Sequence, residues 1–308
     1  MFKSIKNIII ATALFVPAVN AAAADYKLNR FTVVPERWNT NSYWLESDEG
    51  IVLIDAQLLI EDAKRWAAML KLSGKPIKGA IITHAHADHY GGLNTLRKEL
   101  GYFPVITTKA TADTFEEMHK QSLAYTAPPF GDRFDKVQIQ PDQIIEGKGD
   151  VTLAGITLTL ENIGPGESMS ATLVYEKTQN ILFSGDATMH HSHVYTGEGH
   201  SEGHLSQLNH IKTEYSDVSF IYAGHGDPAR ISHVDWQISY VENIRAVAAR
   251  AIKANDYMTE DGKRMDGKAL AKYAQEVITK YPGIGDYSFP VEQIVSGNIA
   301  GVIMELKK

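Results

Sequence analysis

Cysteine is absent from this 308-residue chain. Its absence excludes disulfides, thiolate metal ligands, thiol nucleophiles and an N-terminal lipid anchor on cysteine. A surplus of basic charge is also lacking: 30 Lys and Arg stand against 37 Asp and Glu, for a formal net charge of -7. Nucleic-acid binders carry a basic stripe, so no nucleic-acid partner is expected and the partner is a small-molecule substrate. No internal repeat or low-complexity linker interrupts the sequence, and one domain over residues 25–308 is expected. The N-terminal apolar stretch from Ile8 to Val16 is too short to span a bilayer. Lys3 and Lys6 precede it, and Ala18 and Ala21 to Ala24 follow. A basic segment, an apolar core and small residues read as a secretory signal peptide over residues 1–24, cleaved between Ala21 and Asp25. The expected address is a bacterial periplasm or the medium, with no stable membrane insertion after cleavage.

What is present is a mixture of strands and amphipathic helices. Strands are expected at 31–35, 42–45, 50–54, 80–83 and 105–107, then at 137–139, 151–153, 157–161, 172–176, 181–183 and 218–222. Helices are expected over 61–72, 93–100, 110–123, 202–212, 233–254 and 267–279, before a Pro/Gly-rich tail. Strands mixed with flanking helices give an α/β class, two sheets between helical layers, with a helical extension from about residue 236. Trp236, Tyr240 and Tyr257 of that extension are read as core or as pocket lining.

The densest chemistry lies in His84-Ala-His-Ala-Asp-His89, directly after Gly79-Ala-Ile-Ile-Thr83 and before Gly91 and Gly92. Apolar residues, then histidines, then glycines read as a buried strand opening into a loop. In extended chain His84 and His86 share a face and can grip one ion, while Asp88 and His89 can hold a second as the chain turns. Burying four such groups without a metal would leave several polar atoms competing for partners. Imidazole and carboxylate are ligands of zinc and its transition-series neighbours.

Further candidates follow strand-like runs: Asp55 after Ile51-Val-Leu-Ile54, Glu167 in Gly164-Pro-Gly-Glu-Ser168, Asp186 after Ile181-Leu-Phe-Ser-Gly185, and His225 after Phe220-Ile-Tyr-Ala-Gly224. Strand ends are where sheet scaffolds gather active-site residues. The order Asp, HxHxDH, Gly-rich loop, Gly-Asp, Gly-His resembles the metallo-β-lactamase-fold hydrolases, from Asp55 to His225. That resemblance implies a four-layer αββα sandwich with a two-metal site at the open edge between the sheets. It assigns His84 and His86 to one metal, Asp88, His89 and His225 to the other, and Asp186 as a bridge. Asp55 becomes a residue behind the ligands that orients the histidine loop. The departure is Glu167, which stands where most of that family has a histidine; related alkylsulfatases use glutamate in this region, and glutamate oxygen ligates zinc. Two divalent ions are expected, zinc first. The added carboxylate moves preference toward Mn2+ or Fe2+ relative to an all-histidine site.

Two ions so held would lower the pKa of a shared water from about 15.7 toward neutrality. The resulting hydroxide would attack a carbonyl whose oxyanion a metal stabilises, with Asp88 as proton acceptor and no serine triad. A lactone or ester is the expected substrate. A β-lactam and a sulfate or phosphate ester stand as alternatives; composition excludes the β-lactamase subclass that ligates through cysteine. A bridging aspartate looks more like lactonases and glyoxalase-type thioesterases, but a glutathione thioester is unsuited to an exported enzyme. Two other classes stay open: an iron-dependent oxygenase of the same fold, and a periplasmic metal-buffering protein. Six of the twelve histidines, His190, His191, His193, His200, His204 and His210, fall between positions 190 and 210. They read as a substrate-facing loop or auxiliary metal site, or else as an exposed polar loop.

Overall fold

The computed structural model describes residues 25–34, 38–190, 192–282 and 291–308; the expected leader over 1–24 and His191 lie outside them. Eleven strands form two sheets among the described residues. The first contains β1 (Tyr26–Thr32), β2 (Asn41–Ser47), β3 (Ile51–Ile54), β4 (Ile77–Ile81), β5 (Val105–Thr108) and β6 (Gln143–Ile145), in that spatial order. β1 to β3 pair antiparallel, and β3 to β6 pair parallel. The second runs β11-β10-β9-β8-β7, from β7 (Lys148–Leu153), β8 (Ile156–Asn162), β9 (Thr172–Glu176), β10 (Ile181–Met189) and β11 (Phe220–His225). Its one parallel pair is β10 with β11.

Alternation along the strands decides the layering. In β3, Val52 and Ile54 face the other sheet, where they meet Leu158, Val174 and Phe183. Ile51 and Leu53 face outward onto α1 (Ile60–Lys71) and α3 (Leu93–Leu100). α1 forms because Ala63, Trp66, Ala67 and Leu70 recur on one face, with Glu61 and Asp62 in the first turn and Lys71 in the last. Trp66 is fully buried and stacks on Phe31 at 6.0 Å. α4 (Lys109–Gln121) completes that outer layer and continues into a π-helical turn, Ser122–Thr126. The outer face of the second sheet is covered by α5 (Ser201–Glu214) and α6 (Ser232–Ala254), and α7 (Gly267–Lys280) and α8 (Val291–Leu306) pack against α6 and each other in the same core. This is the expected αββα sandwich.

Several expectations are corrected. No strand forms at 137–139: Val137 is exposed, and the parallel partner of β5 is Gln143–Ile145, docked where the backbone N–H of Asp142 reaches the carbonyl of Val105. β1 begins at Tyr26 and β4 at Ile77, earlier than their apolar cores imply, because each is extended by a paired neighbour. The stretch expected as a Pro/Gly-rich tail holds α8, whose Val295, Ile299, Val302 and Ile303 are buried in the second core. Trp236, Tyr240 and Tyr257 belong to that same core.

Candidate metal centre

The carboxyl ends of β3, β4, β10 and β11 converge, which is where parallel strands place their ligand-binding loops. The sheets are tied together there: Thr172 N–H donates to the Thr83 carbonyl at 2.7 Å, and Thr40 bridges to His225. Asp55 follows β3 in the left-handed region, φ 59°. Its carboxylate accepts from Thr83 N–H at 2.9 Å, from the Thr83 hydroxyl, and from His89 Nδ1 at 2.8 Å. A proton held on Nδ1 leaves the Nε2 lone pair of His89 facing the site. The short helix α2 (Ala87–Tyr90) begins directly after His86 and carries Asp88 and His89 inward, both buried.

β10 delivers Asp186 through an irregularity in its pairing with β11, between Gly185 and Met189. Such bulges re-aim a side chain. Gly185, at φ 51°, lets the strand pass Thr83: a Cβ would lie 2.5 Å from the threonine hydroxyl. At Gly224 a Cβ would lie 2.0 Å from Asp186 Oδ1 and 2.7 Å from His89 Cε1, so only glycine leaves room for the carboxylate.

All seven residues expected as ligands come together, in two groups. His84, His86, Glu167 and Asp186 offer ligand atoms within 4.8 Å of one another, and so do Asp88, His89 and His225. In the first group, His86 Nδ1 lies 3.2 Å from Glu167 Oε1, and His84 Nε2 lies 3.7 Å from Glu167 Oε2 and 3.8 Å from Asp186 Oδ2. In the second, Asp88 Oδ2 lies 3.3 Å from both His89 Nε2 and His225 Nε2. Asp186 spans the two, with Oδ1 3.4 Å from His89 Nε2 and Oδ2 3.1 Å from His225 Nε2. Glu167, from the loop between β8 and β9, is buried and offers a carboxylate oxygen to the first group.

The donor set fits divalent ions. His84 Nε2, His89 Nε2, Glu167 Oε2 and Asp186 Oδ1 are buried with no hydrogen-bond partner, and they form two close pairs, His84 Nε2 3.7 Å from Glu167 Oε2 and His89 Nε2 3.4 Å from Asp186 Oδ1. Orphaned buried polar atoms are costly, and a cation satisfies them together. The charge pattern of the metal-free centre shows the same demand. Burial pushes the Glu167 carboxyl up to about 7 against the pull of His86, and it pushes His84 well below the usual imidazole value. Burial would also depress His225, but Asp186 and Asp88 override it and raise that imidazole to about 10. Without ions, protonated imidazoles have to balance the Asp88 and Asp186 carboxylates.

The centre floors a cavity of about 550 Å³. Trp38, Met118, Tyr125, Pro129, Tyr195 and Ile294 give it apolar walls, and among its described lining residues there is no lysine or arginine.

Residues that sequence reasoning missed stand behind the ligands. The Thr40 hydroxyl donates to Asp88 Oδ2 at 2.8 Å, and Glu198 Oε1 lies 2.8 Å from His86 Nε2. No local pattern marks either. The histidine-rich segment is not an exposed loop: His190, His193 and His204 are buried. They are spent on the frame, His190 against the Asp227 carbonyl, His193 against Tyr240 and His204 against the Ala187 carbonyl. Among the described residues it forms no third group of metal ligands, and it is Tyr195 and Glu198 that reach the cavity. Gly199-His-Ser-Glu-Gly203 also matches the Gly-x-Ser-x-Gly string of serine hydrolases. It follows no strand, and the Ser201 hydroxyl is held by Glu305 and Arg245, so it is not a nucleophile elbow.

A two-sheet sandwich with histidine and carboxylate ligands gathered at converging strand ends defines a metallo-hydrolase scaffold. A family model described as the metallo-beta-lactamase superfamily matches residues 35–242, and the chain belongs to that superfamily. It is 28% identical over 161 residues to an uncharacterised Bacillus subtilis protein, YobT, covering 51% of this chain and 66% of that one. It is 29% identical over 167 residues to the acyl-coenzyme A thioesterase MBLAC2 of Bos taurus, covering 49% and 59%. Against metallo-beta-lactamase type 2 of Bacillus cereus the identity is 24% over 192 residues, covering 61% and 67%. The chain thus spans less than two thirds of the length of the first two relatives. A solved metallo-beta-lactamase from Pontibacter korlensis shares the fold, with a TM-score of 0.56 at 19% identity over 71% of this chain and 94% of that one.

Proposed function

We propose that the chain is a two-metal hydrolase of neutral, largely apolar lactones or esters. The observation that carries this reading is the pairing of two ligand groups with a cavity whose described walls are largely apolar, with Gln121, Ser122, Thr126 and Gln293 as neutral polar groups, and carry no lysine or arginine. Two divalent ions, zinc first, would supply Lewis-acid polarisation of the scissile carbonyl and activation of water. The chain's own residues do the rest. Asp55 and Thr40 hold His89 and Asp88 in place. Asp88 lines the cavity and is assigned to accept the proton. Trp38, Tyr125 and Ile294 exclude water around an apolar substrate.

An anionic substrate is a poorer match. With two divalent ions bound, Asp88, Glu167, Asp186 and a hydroxide leave the centre nearly neutral, so a β-lactam carboxylate, a sulfate or phosphate ester, or a polyanionic coenzyme A thioester would meet Glu198 and no described cation in the wall to pair with it. Zinc identity, the ion count of two and export through residues 1–24 are parts of the same proposal.

The test is a panel of aryl esters, lactones, β-lactams and aryl sulfates. Neutral esters and lactones should be hydrolysed, with activity lost on chelation and restored by two equivalents of zinc. Apo-protein as active as the loaded form contradicts the reading, and so does a preference for the anionic members. Uptake of more than two ions without turnover of any ester favours a metal buffer.

A further inference from the structure

His86 is held from both sides. Its Nδ1 faces Glu167 in the first ligand group, and its Nε2 faces Glu198 Oε1 at 2.8 Å. An imidazole that gives one nitrogen to an ion carries its proton on the other. With Nδ1 turned to Glu167 and the centre, the Nε2 proton is donated to Glu198. Glu198 is largely enclosed: its side chain is 18% exposed, and its second oxygen is buried without a hydrogen-bond partner. A carboxylate is kept there at a desolvation cost, and the atom it touches is the back of a ligand.

The loop that carries Glu198 is held by α8. Asn298 accepts from Thr196 N–H at 2.8 Å and donates to the Val194 carbonyl at 2.7 Å. Glu305 accepts from the backbone N–H groups of Ser201 and Glu202. At Gly301 a Cβ would lie 2.4 Å from the Gly197 carbonyl, so the helix presents a flat face to the loop. α8 begins at Val291, well past residue 242, where the match to the superfamily model ends.

We propose that Glu198 is a positioning residue that fixes the tautomer and ring orientation of His86 for the first ion, and that α8 serves the metal centre by holding Glu198 in place. The inference rests on reading His84, His86 and Glu167 as a metal-binding group. Carboxylates behind metal-bound histidines act in this way, and their removal typically costs about 10- to 100-fold in affinity.

The test is cobalt(II) titration of the metal-free full chain against a competing chelator, followed by visible absorption, for the wild type, Glu198→Gln and Glu198→Ala. In Glu198→Ala the affinity for the first ion should fall about 10- to 100-fold, with an altered absorption band, while the ion held by Asp88, His89 and His225 binds as before. Glu198→Gln keeps an acceptor without the charge and should fall between alanine and wild type. Wild-type affinity and spectrum in Glu198→Ala overturn the inference. Equal weakening of both ions also overturns it, because Glu198 would then brace the loop alone. Should the alanine variant fail to fold, the isosteric glutamine decides, and unchanged first-ion affinity there is the contradicting result. Wild-type protein that takes up fewer than two cobalt ions removes the reading of the centre, and this inference with it.

Discussion

The two ligand groups are built on different principles. Asp88, His89 and His225 are backed by Asp55 and Thr40, residues close to β3 and β2 in the part of the chain that the superfamily model covers. His84, His86 and Glu167 include a glutamate, and His86 meets Glu198, whose loop is tied to a helix beyond that part. One group is backed from the strands beside it, and the other from a loop tied to the C-terminal helix α8. The contrast teaches that residues backing two adjacent ligand groups can be held in place by quite different parts of one chain.

The contrast can be broken at the residue the groups share. Asp186→Ala removes a carboxylate that touches both, and it should lower kcat/KM on any neutral ester the wild type hydrolyses by about three orders of magnitude, measured by steady-state kinetics. A loss confined to one ion with activity intact would show that Asp186 does not join the groups.

A smaller effect comes from the frame under both. Burial lowers the His204 imidazole to about 4, and it donates from α5 to the Ala187 carbonyl beside Asp186. Below about pH 6.5 the unfolded chain takes up a proton that the folded chain refuses until about pH 4. Stability is therefore complete above pH 6.5 and falls as pH drops to 4, by about 3 kcal/mol in total. Urea unfolding of metal-free protein across that range should show the slope, and His204→Asn should lack this share of it.

The smallest effect sharpens the difference between the groups. Asn298→Ala cuts the tie between α8 and the Glu198 loop, and it should weaken the first ion about tenfold while leaving the second unchanged, read by the same cobalt titration. Equal weakening of both would erase the distinction.

Legibility followed chain distance. His84 to His89 could be read because strand, turn and ligands are contiguous. Asp55, Asp186 and His225 could be read because each ends an apolar run. Glu198 could not: it is one glutamate among glycines, and its partner lies 112 residues away. Two glycines and a preceding Pro/Gly stretch hid α8, although Gly301 is what lets the helix meet the loop. The histidine-rich segment stayed open because composition does not report burial: His190, His193 and His204 are committed to backbone carbonyls and Tyr240, while Tyr195 and Glu198 of the same stretch reach the cavity.

The central claim is that Glu167 completes a first metal-binding group beside a conventional second one. Metal analysis of the purified wild type beside Glu167→Ala tests it most directly. The account predicts two divalent ions per wild-type chain and about one in the variant, with the ion on Asp88, His89 and His225 retained. Unchanged stoichiometry in Glu167→Ala would contradict it.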